Sequence, residues 1–152
     1  PVLRLRADQC RVPNVSEAVR VAVGIVANAA GAILITRRPD HAHQGGLWEF
    51  PGGKVEAGEP VTAALRRELH EELGILVQAA EPLLHIRHAY PDKTVLLEVW
   101  RVTAYQGEPH GREGQPLIWV VPARLADFAF PAADAPIIEV LTGRRVTTPS
   151  CP

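Results

Sequence analysis

The sequence predicts an α+β protein, an α/β/α sandwich in which a mixed β-sheet lies between helices. Three observations carry this. Val19, Val21, Val23 and Ile25 alternate with small or polar residues, the period of a strand. Val61, Leu65, Leu69 and Leu73 recur every fourth residue and form one stripe along a helix. Further strand-like runs are interleaved with these segments, and elements in such mixed order bury their apolar faces as stacked layers.

Taken in order, residues 1–17 show no periodicity and are expected to form an irregular leader. The strand through Val19 should be half-buried and end at the turn Asn28-Ala29-Ala30-Gly31. Residues 32–37 (AILITR) read as its hairpin partner, and 38–46 (RPDHAHQGG) as a polar loop. A short strand over 47–50 runs into Pro51-Gly52-Gly53. Gly58 then closes a turn, Glu59 brings negative charge to a helix N-terminus, and Pro60 suits the first helical position. The helix is expected over 60–73, with Gly74 as its left-handed stop and Ile75 folding back onto Leu69. Strands over 82–90 and 94–105, joined by Pro91-Asp92-Lys93, should form a hairpin. A loop over 107–116, a strand over 117–121 and a short helix over 135–141, stopped near Gly143, complete a single domain spanning 18–143. Residues 144–152 read as a polar tail.

Composition narrows the function. A chain of 152 residues can bury one core, and 47% hydrophobic with 22% charged residues is a soluble globular balance. The net charge of −1, with no basic stripe, argues against a nucleic-acid polymer as partner. No apolar run approaches the ~18 residues of a membrane span, and no signal peptide is visible. Cys10 and Cys151 have no metal-site spacing and read as free thiols of a cytoplasmic protein, with a tail-to-tail disulfide as the alternative. A monomer is expected, with a dimer left open.

The chemistry concentrates on the helix. Glu68, Glu71 and Glu72 crowd one edge of its apolar stripe. As a merely solvated face this arrangement is poor, because like charges three and four residues apart destabilise a helix. A divalent cation removes the repulsion, and carboxylate-only surroundings suit Mg²⁺, with Mn²⁺ as substitute, better than zinc.

Gly53, Glu59, Arg67, Glu68, Leu69, Glu71, Glu72, Gly74 and Ile75 follow the spacing G-x5-E-x7-R-E-U-x-E-E-x-G-U. This resembles the Nudix box, and a chance match is on the order of 10⁻¹⁰ per window at ordinary residue frequencies. The resemblance implies the Nudix fold and metal-dependent hydrolysis of nucleoside diphosphate derivatives. Outside the box, AVGIV (22–26), ITRRPD (35–40), LWEFPGGKVEAGE (47–59), GEPHGREGQP (107–116) and FPAADAPI (130–137) resemble the MutT-type 8-oxo-dGTP diphosphatases. That likeness implies hydrolysis of a nucleoside triphosphate, 8-oxo-dGTP foremost, to a monophosphate and pyrophosphate, which serves mutation avoidance. Other nucleotides are the alternative, and a non-catalytic nucleotide-binding module a remote one.

By the same resemblance, metal is held by the Gly52 carbonyl, Glu68, Glu71, Glu72 and Glu113, and Arg67 keeps the carboxylate array in shape. Arg67 could pair with Glu71 or reach Glu59. Arg38 and Lys54 are expected at the phosphates, where a guanidinium fork suits phosphate oxygens, and His43 near the sugar. Glu49, Phe50, Pro51, Tyr90, Lys93 and Asp134 are expected at the base. Asp134 departs from the family pattern, which places Asn there. A carboxylate can accept from the N7–H of 8-oxoguanine but cannot, when ionised, donate to O6. Asp134 also has a purely structural reading, as N-cap of the last helix.

Overall fold

The computed structural model describes residues 18–42 and 45–143. The expected leader and tail, both cysteines and His43 lie outside these residues. The elements are β1 (Ala18–Val26), β2 (Ile33–Arg37), β3 (Trp48–Glu49), β4 (Gly52–Lys54), α1 (Val61–Leu73), β5 (Leu76–Ala89), β6 (Thr94–Gln106), β7 (Leu117–Val120) and α2 (Ala135–Leu141). Short 3₁₀ turns occupy Pro122–Asp127 and Ala132–Asp134.

The strands divide into two sheets, with orders β4-β1-β6-β5 and β3-β2-β7. Among the described residues only β1 and β6 run parallel, from Ala18 opposite Thr94 to Val26 opposite Val102, so the layer is mixed as expected. Its two faces carry separate cores. Val23, Ile25, Val95, Leu97 and Val99 pack with Leu125, Ala133 and Ile137 on the α2 side. Ala22, Val26, Leu34 and Val102 pack with Leu65, Leu69 and Leu73 of α1 on the other. Small residues on the α1 face of β1 allow this. A Cβ on Gly24 would sit 3.0 Å from Leu69 and 3.1 Å from Leu65.

Several local expectations need correction. The turn after β1 forms, with the Asn28 side chain accepting from the backbone N–H groups of Ala30 (3.0 Å) and Ala32 (2.9 Å). Yet β2 is not the hairpin partner of β1, which it meets at a single bridge, Ala27 to Ile33. Both edges of β1 are already taken, by β4 and β6. Nor is β1 half-buried throughout, since residues 22–26 are buried on both faces. Strand β4 was hidden in the glycine-rich turn signal. Strand β5 begins at Leu76 rather than 82, because register shifts near Val77, Ala79 and Pro82 spoil its alternation.

The helix α1 starts one residue later than expected. Pro60 is its N-cap residue, at φ −64° and ψ 147°, and with no polar side chain it makes no capping bond. Gly74 does stop the helix at φ 73°, with its N–H donating to the His70 carbonyl.

Candidate active site

Helix α1 presents its carboxylates to the end of β4, and the box arginine organises them. Arg67 forks onto Glu59 through Nε and a terminal nitrogen, both at 2.9 Å. It also donates to Glu68 (2.9 Å) and to the Lys54 carbonyl (2.9 Å), and lies 3.6 Å from Glu71. Both pairings anticipated for Arg67 therefore occur, the Glu59 one being the tighter. The hydrogen bonds from Arg67 hold Glu59 at about 2, far below the usual carboxylate range. Arg67 thus ties the approach to the helix to its middle turn and fixes Glu68.

Glu72 faces inward and accepts a hydrogen bond from the Gly52 N–H at 3.0 Å. Burial pushes its carboxyl up to about 9, the Gly52 N–H opposes this, and Glu49, Glu68 and Glu113 add to the rise. Burial likewise raises Glu68, against the pull of Arg67, with Glu71 and Glu113 raising it further. Glu71 is the outlier, with half its side chain exposed. Glu113 reaches this cluster on the loop after β6, which folds over the C-terminal end of α1.

The glycines of β4 make room for the array. A Cβ on Gly52 would strike the Ala22 carbonyl of β1, and one on Gly53 would strike the Glu68 carboxylate. Gly53→Ala is therefore expected to displace Glu68 and lower kcat by about ten- to a hundredfold, the usual cost of disturbing a group that orients a metal ligand. A parallel melting curve should move by only a few degrees; a large drop would show that the loss is one of folding.

The carboxylates are gathered but not converged. Among the described residues no three His, Cys, Asp or Glu side chains already surround a point suited to a metal ion. Glu68 is drawn aside by Arg67, and one Glu72 oxygen rests on Gly52. The donor chemistry nevertheless fits a hard divalent cation: oxygen donors only, crowded enough that burial and mutual repulsion favour protonation.

Beside the cluster opens a pocket of about 220 Å³. Its floor is aliphatic, made by Val19, Val21 and Val23 of β1 with Val95 and Leu97 of β6. Phe50 forms a wall and stacks on Phe130, with centroids 5.1 Å apart. The polar lining is Arg38, Glu49, Gly52, Gly53, Lys54, Tyr90, Lys93 and Asp134. Nearly every residue anticipated at the base or phosphates is thus brought together. Pro51 is the exception: it is fully buried, its carbonyl accepts from the Gly24 N–H at 2.8 Å, and it does not line the pocket. Trp48, the neighbour of Glu49, packs edge-on against Phe128 and does not line the pocket. The two adjacent arginines separate as strand alternation requires. Arg37 pairs with exposed Asp40, whereas Arg38 enters the pocket and donates to Glu49 at 2.8 Å.

Asp134 occupies the N-cap position of α2, but its side chain makes no capping hydrogen bond. It is only 8% exposed and lines the pocket instead. Burial, reinforced by Glu49 and opposed by Arg38, raises its carboxyl to about 7. The aliphatic floor and the walls at Pro131 and Ala133 were not anticipated, because they are unremarkable as local sequence.

A cleft beside a Glu array on a glycine-flanked helix is the arrangement of a Nudix domain. The NUDIX domain model matches residues 22–140, and the chain belongs to this family. Among characterised relatives it is 42% identical over 123 residues to the 8-oxo-dGTP diphosphatase of Escherichia coli K12, covering 81% of this chain and 95% of that protein. It is 34% identical over 128 residues to the CTP pyrophosphohydrolase of the same organism, covering 84% and 95%. A solved structure from work on MutT of Aliivibrio salmonicida and Vibrio cholerae superposes with a TM-score of 0.73 at 42% identity, covering 83% of this chain and 98% of that one.

Proposed function

We propose that this protein is a divalent-metal-dependent pyrophosphohydrolase that converts 8-oxo-dGTP and water to 8-oxo-dGMP and pyrophosphate, removing an oxidised precursor from the nucleotide pool. The observation that carries this reading is the juxtaposition of half-buried Glu72, with Glu68 and Glu113, and a pocket with an aliphatic floor that Arg38, Lys54 and Lys93 also line. The likeness to the 8-oxo-dGTP diphosphatase supports the substrate.

Glu68, Glu71, Glu72, Glu113 and the Gly52 carbonyl would hold the metal, Mg²⁺ with Mn²⁺ as substitute. Bound there, such an ion supplies Lewis acidity and lowers the pKa of a water. The protein's own groups do the rest. Water adds at the β-phosphorus and the bond to the α–β bridging oxygen breaks, so the monophosphate leaves with that oxygen. Glu113, exposed on its loop and acting electrostatically on Glu72, would bind the metal or orient the attacking water. Arg38 and Lys54 offset phosphate charge, Arg38 exchanging part of its contact with Glu49 for the substrate. Arg38→Ala should raise KM for triphosphates roughly ten- to a hundredfold, the worth of one charge-assisted contact, with little change in melting temperature. An unchanged KM would move the phosphate clamp elsewhere.

A second reading is favoured by Asp134 and by the CTP pyrophosphohydrolase relative: a nucleotide whose base offers an amino group to a carboxylate. Pyrophosphate release from 8-oxo-dGTP, dGTP and CTP in Mg²⁺, compared as kcat/KM, decides between them. The first reading requires 8-oxo-dGTP to lead the panel, and a lead for CTP sinks it. Acting on free nucleoside triphosphates, the enzyme would work in the cytoplasm.

A further inference from the structure

The last four carbonyls of a helix have no partner within it and must find one elsewhere. In α1 the loop after β6 supplies most of them. The His110 N–H donates to the Leu73 carbonyl at 3.0 Å and the Arg112 N–H to the Glu72 carbonyl at 3.0 Å. The Arg112 guanidinium donates to the His70 carbonyl at 2.9 Å. One further contact differs in kind. The Gln115 amide donates through Nε2 to the Glu72 carbonyl (3.0 Å) and accepts through Oε1 from the Glu113 N–H (2.9 Å). A single side chain therefore grips the backbone of two site carboxylates from distant parts of the chain. The fit around it is close, because a Cβ on Gly111 would strike the Gln115 carbonyl.

The grip opposes a repulsion. Glu113 is brought towards the Glu49, Glu68 and Glu72 carboxyl groups, whose ionised forms its charge opposes, and towards the negative end of the α1 dipole. Left to its charge, the loop tip would swing into solvent, where Glu113 is already exposed. A neutral amide is suited to hold it, since it has one donor and one acceptor and both are used. Glutamate in its place would set an acceptor against the Glu72 carbonyl, and alanine would release both ends.

We propose that Gln115 is a positioning residue that presets Glu113 against the α1 carboxylates, and that it governs turnover and metal affinity rather than nucleotide binding. This rests on the reading above that Glu113 serves the reaction. The test is a double-mutant cycle on the full chain with Gln115→Ala, Glu113→Ala and both, alongside Gln115→Glu and Arg112→Ala. Gln115→Ala should lower kcat ten- to a hundredfold while KM for 8-oxo-dGTP changes less than threefold. Direct Mn²⁺ titration by electron paramagnetic resonance, without nucleotide, should show several-fold weaker binding. In the Glu113→Ala background the same substitution should cost no further kcat. Gln115→Glu should behave like Gln115→Ala, whereas Arg112→Ala, which leaves the grip intact, should lower the melting temperature more than kcat. Independent losses in the cycle, or normal kcat and Mn²⁺ affinity in Gln115→Ala with Glu113→Ala impaired, would overturn the positioning role alone. Full activity in Glu113→Ala would overturn the assignment of Glu113, and the positioning role with it.

Discussion

Glu72→Gln is expected to lower kcat by ~10²–10³-fold, the range in which loss of one preorganised electrostatic group falls. The fold should survive, because the amide keeps an oxygen to accept the Gly52 N–H now bonded to Glu72. Stability provides a second readout with a definite sign. Burial raises the Glu72 carboxyl from its ordinary 4.5 to about 9, so the metal-free folded state binds a proton that the unfolded chain releases. That contribution is present below about pH 4.5 and is lost as pH rises towards 9. In EDTA, Glu72→Gln should therefore melt higher than the parent at pH 8, with a smaller gap at pH 5. Added Mg²⁺ should raise the parent melting temperature and leave the variant nearly unmoved. Near-normal turnover of the variant in Mg²⁺ would remove Glu72 from the metal site.

Asp134 carries the second large effect, on choice of base. Asp134→Ala should reduce discrimination between 8-oxo-dGTP and dGTP by about 1–3 kcal/mol, roughly five- to 150-fold in the ratio of kcat/KM values. The reasoning is that only the oxidised base presents an N7–H to an acceptor. Asp134→Asn keeps that acceptor and adds a donor for O6, so discrimination should hold or rise. Protonation adds a test that isolates this carboxyl. With its pKa near 7, Asp134 below that pH has the donor and acceptor of an amide, and above it two acceptors. Activity of the parent on 8-oxo-dGTP, divided by that of Asp134→Asn, should thus fall as pH rises through 7. Because Asp134 is raised from 3.8, the parent should also lose stability relative to Asp134→Asn between about pH 4 and 7. Unaltered specificity in Asp134→Ala, with a lowered melting point, would reduce the residue to a structural role at the start of α2.

The Asp134 question shows how a local rule can be right about position and wrong about use. Asp followed by Ala-Pro marks a helix start, and α2 does begin at Ala135. The side chain is nevertheless drawn into the pocket, where Arg38 and Glu49 act on it. The same holds for Pro51-Gly52-Gly53. Its glycines suggest a turn, yet Gly52 and Gly53 form a strand along one edge of β1, where a Cβ on Gly52 would strike the Ala22 carbonyl.

What the sequence determined by itself is whatever repeats or stops within a few residues. The α1 stripe and its glycine stop, the β5–β6 hairpin, the limits of α2 and the identity of the Glu68, Glu71, Glu72 array follow from periodicity, left-handed glycines and turn residues. The tertiary structure alone decided the division into two sheets, the pairing of β1 with β4 and β6, and the meeting of Asp134, Tyr90, Lys93 and Arg38 in one pocket. It also decided that Gln115 should hold Glu72 and Glu113 together. Local preference acts through backbone torsions and neighbours one turn away, whereas sheet edges and loop ends are chosen by which apolar faces can be buried together, a competition among segments far apart in the chain.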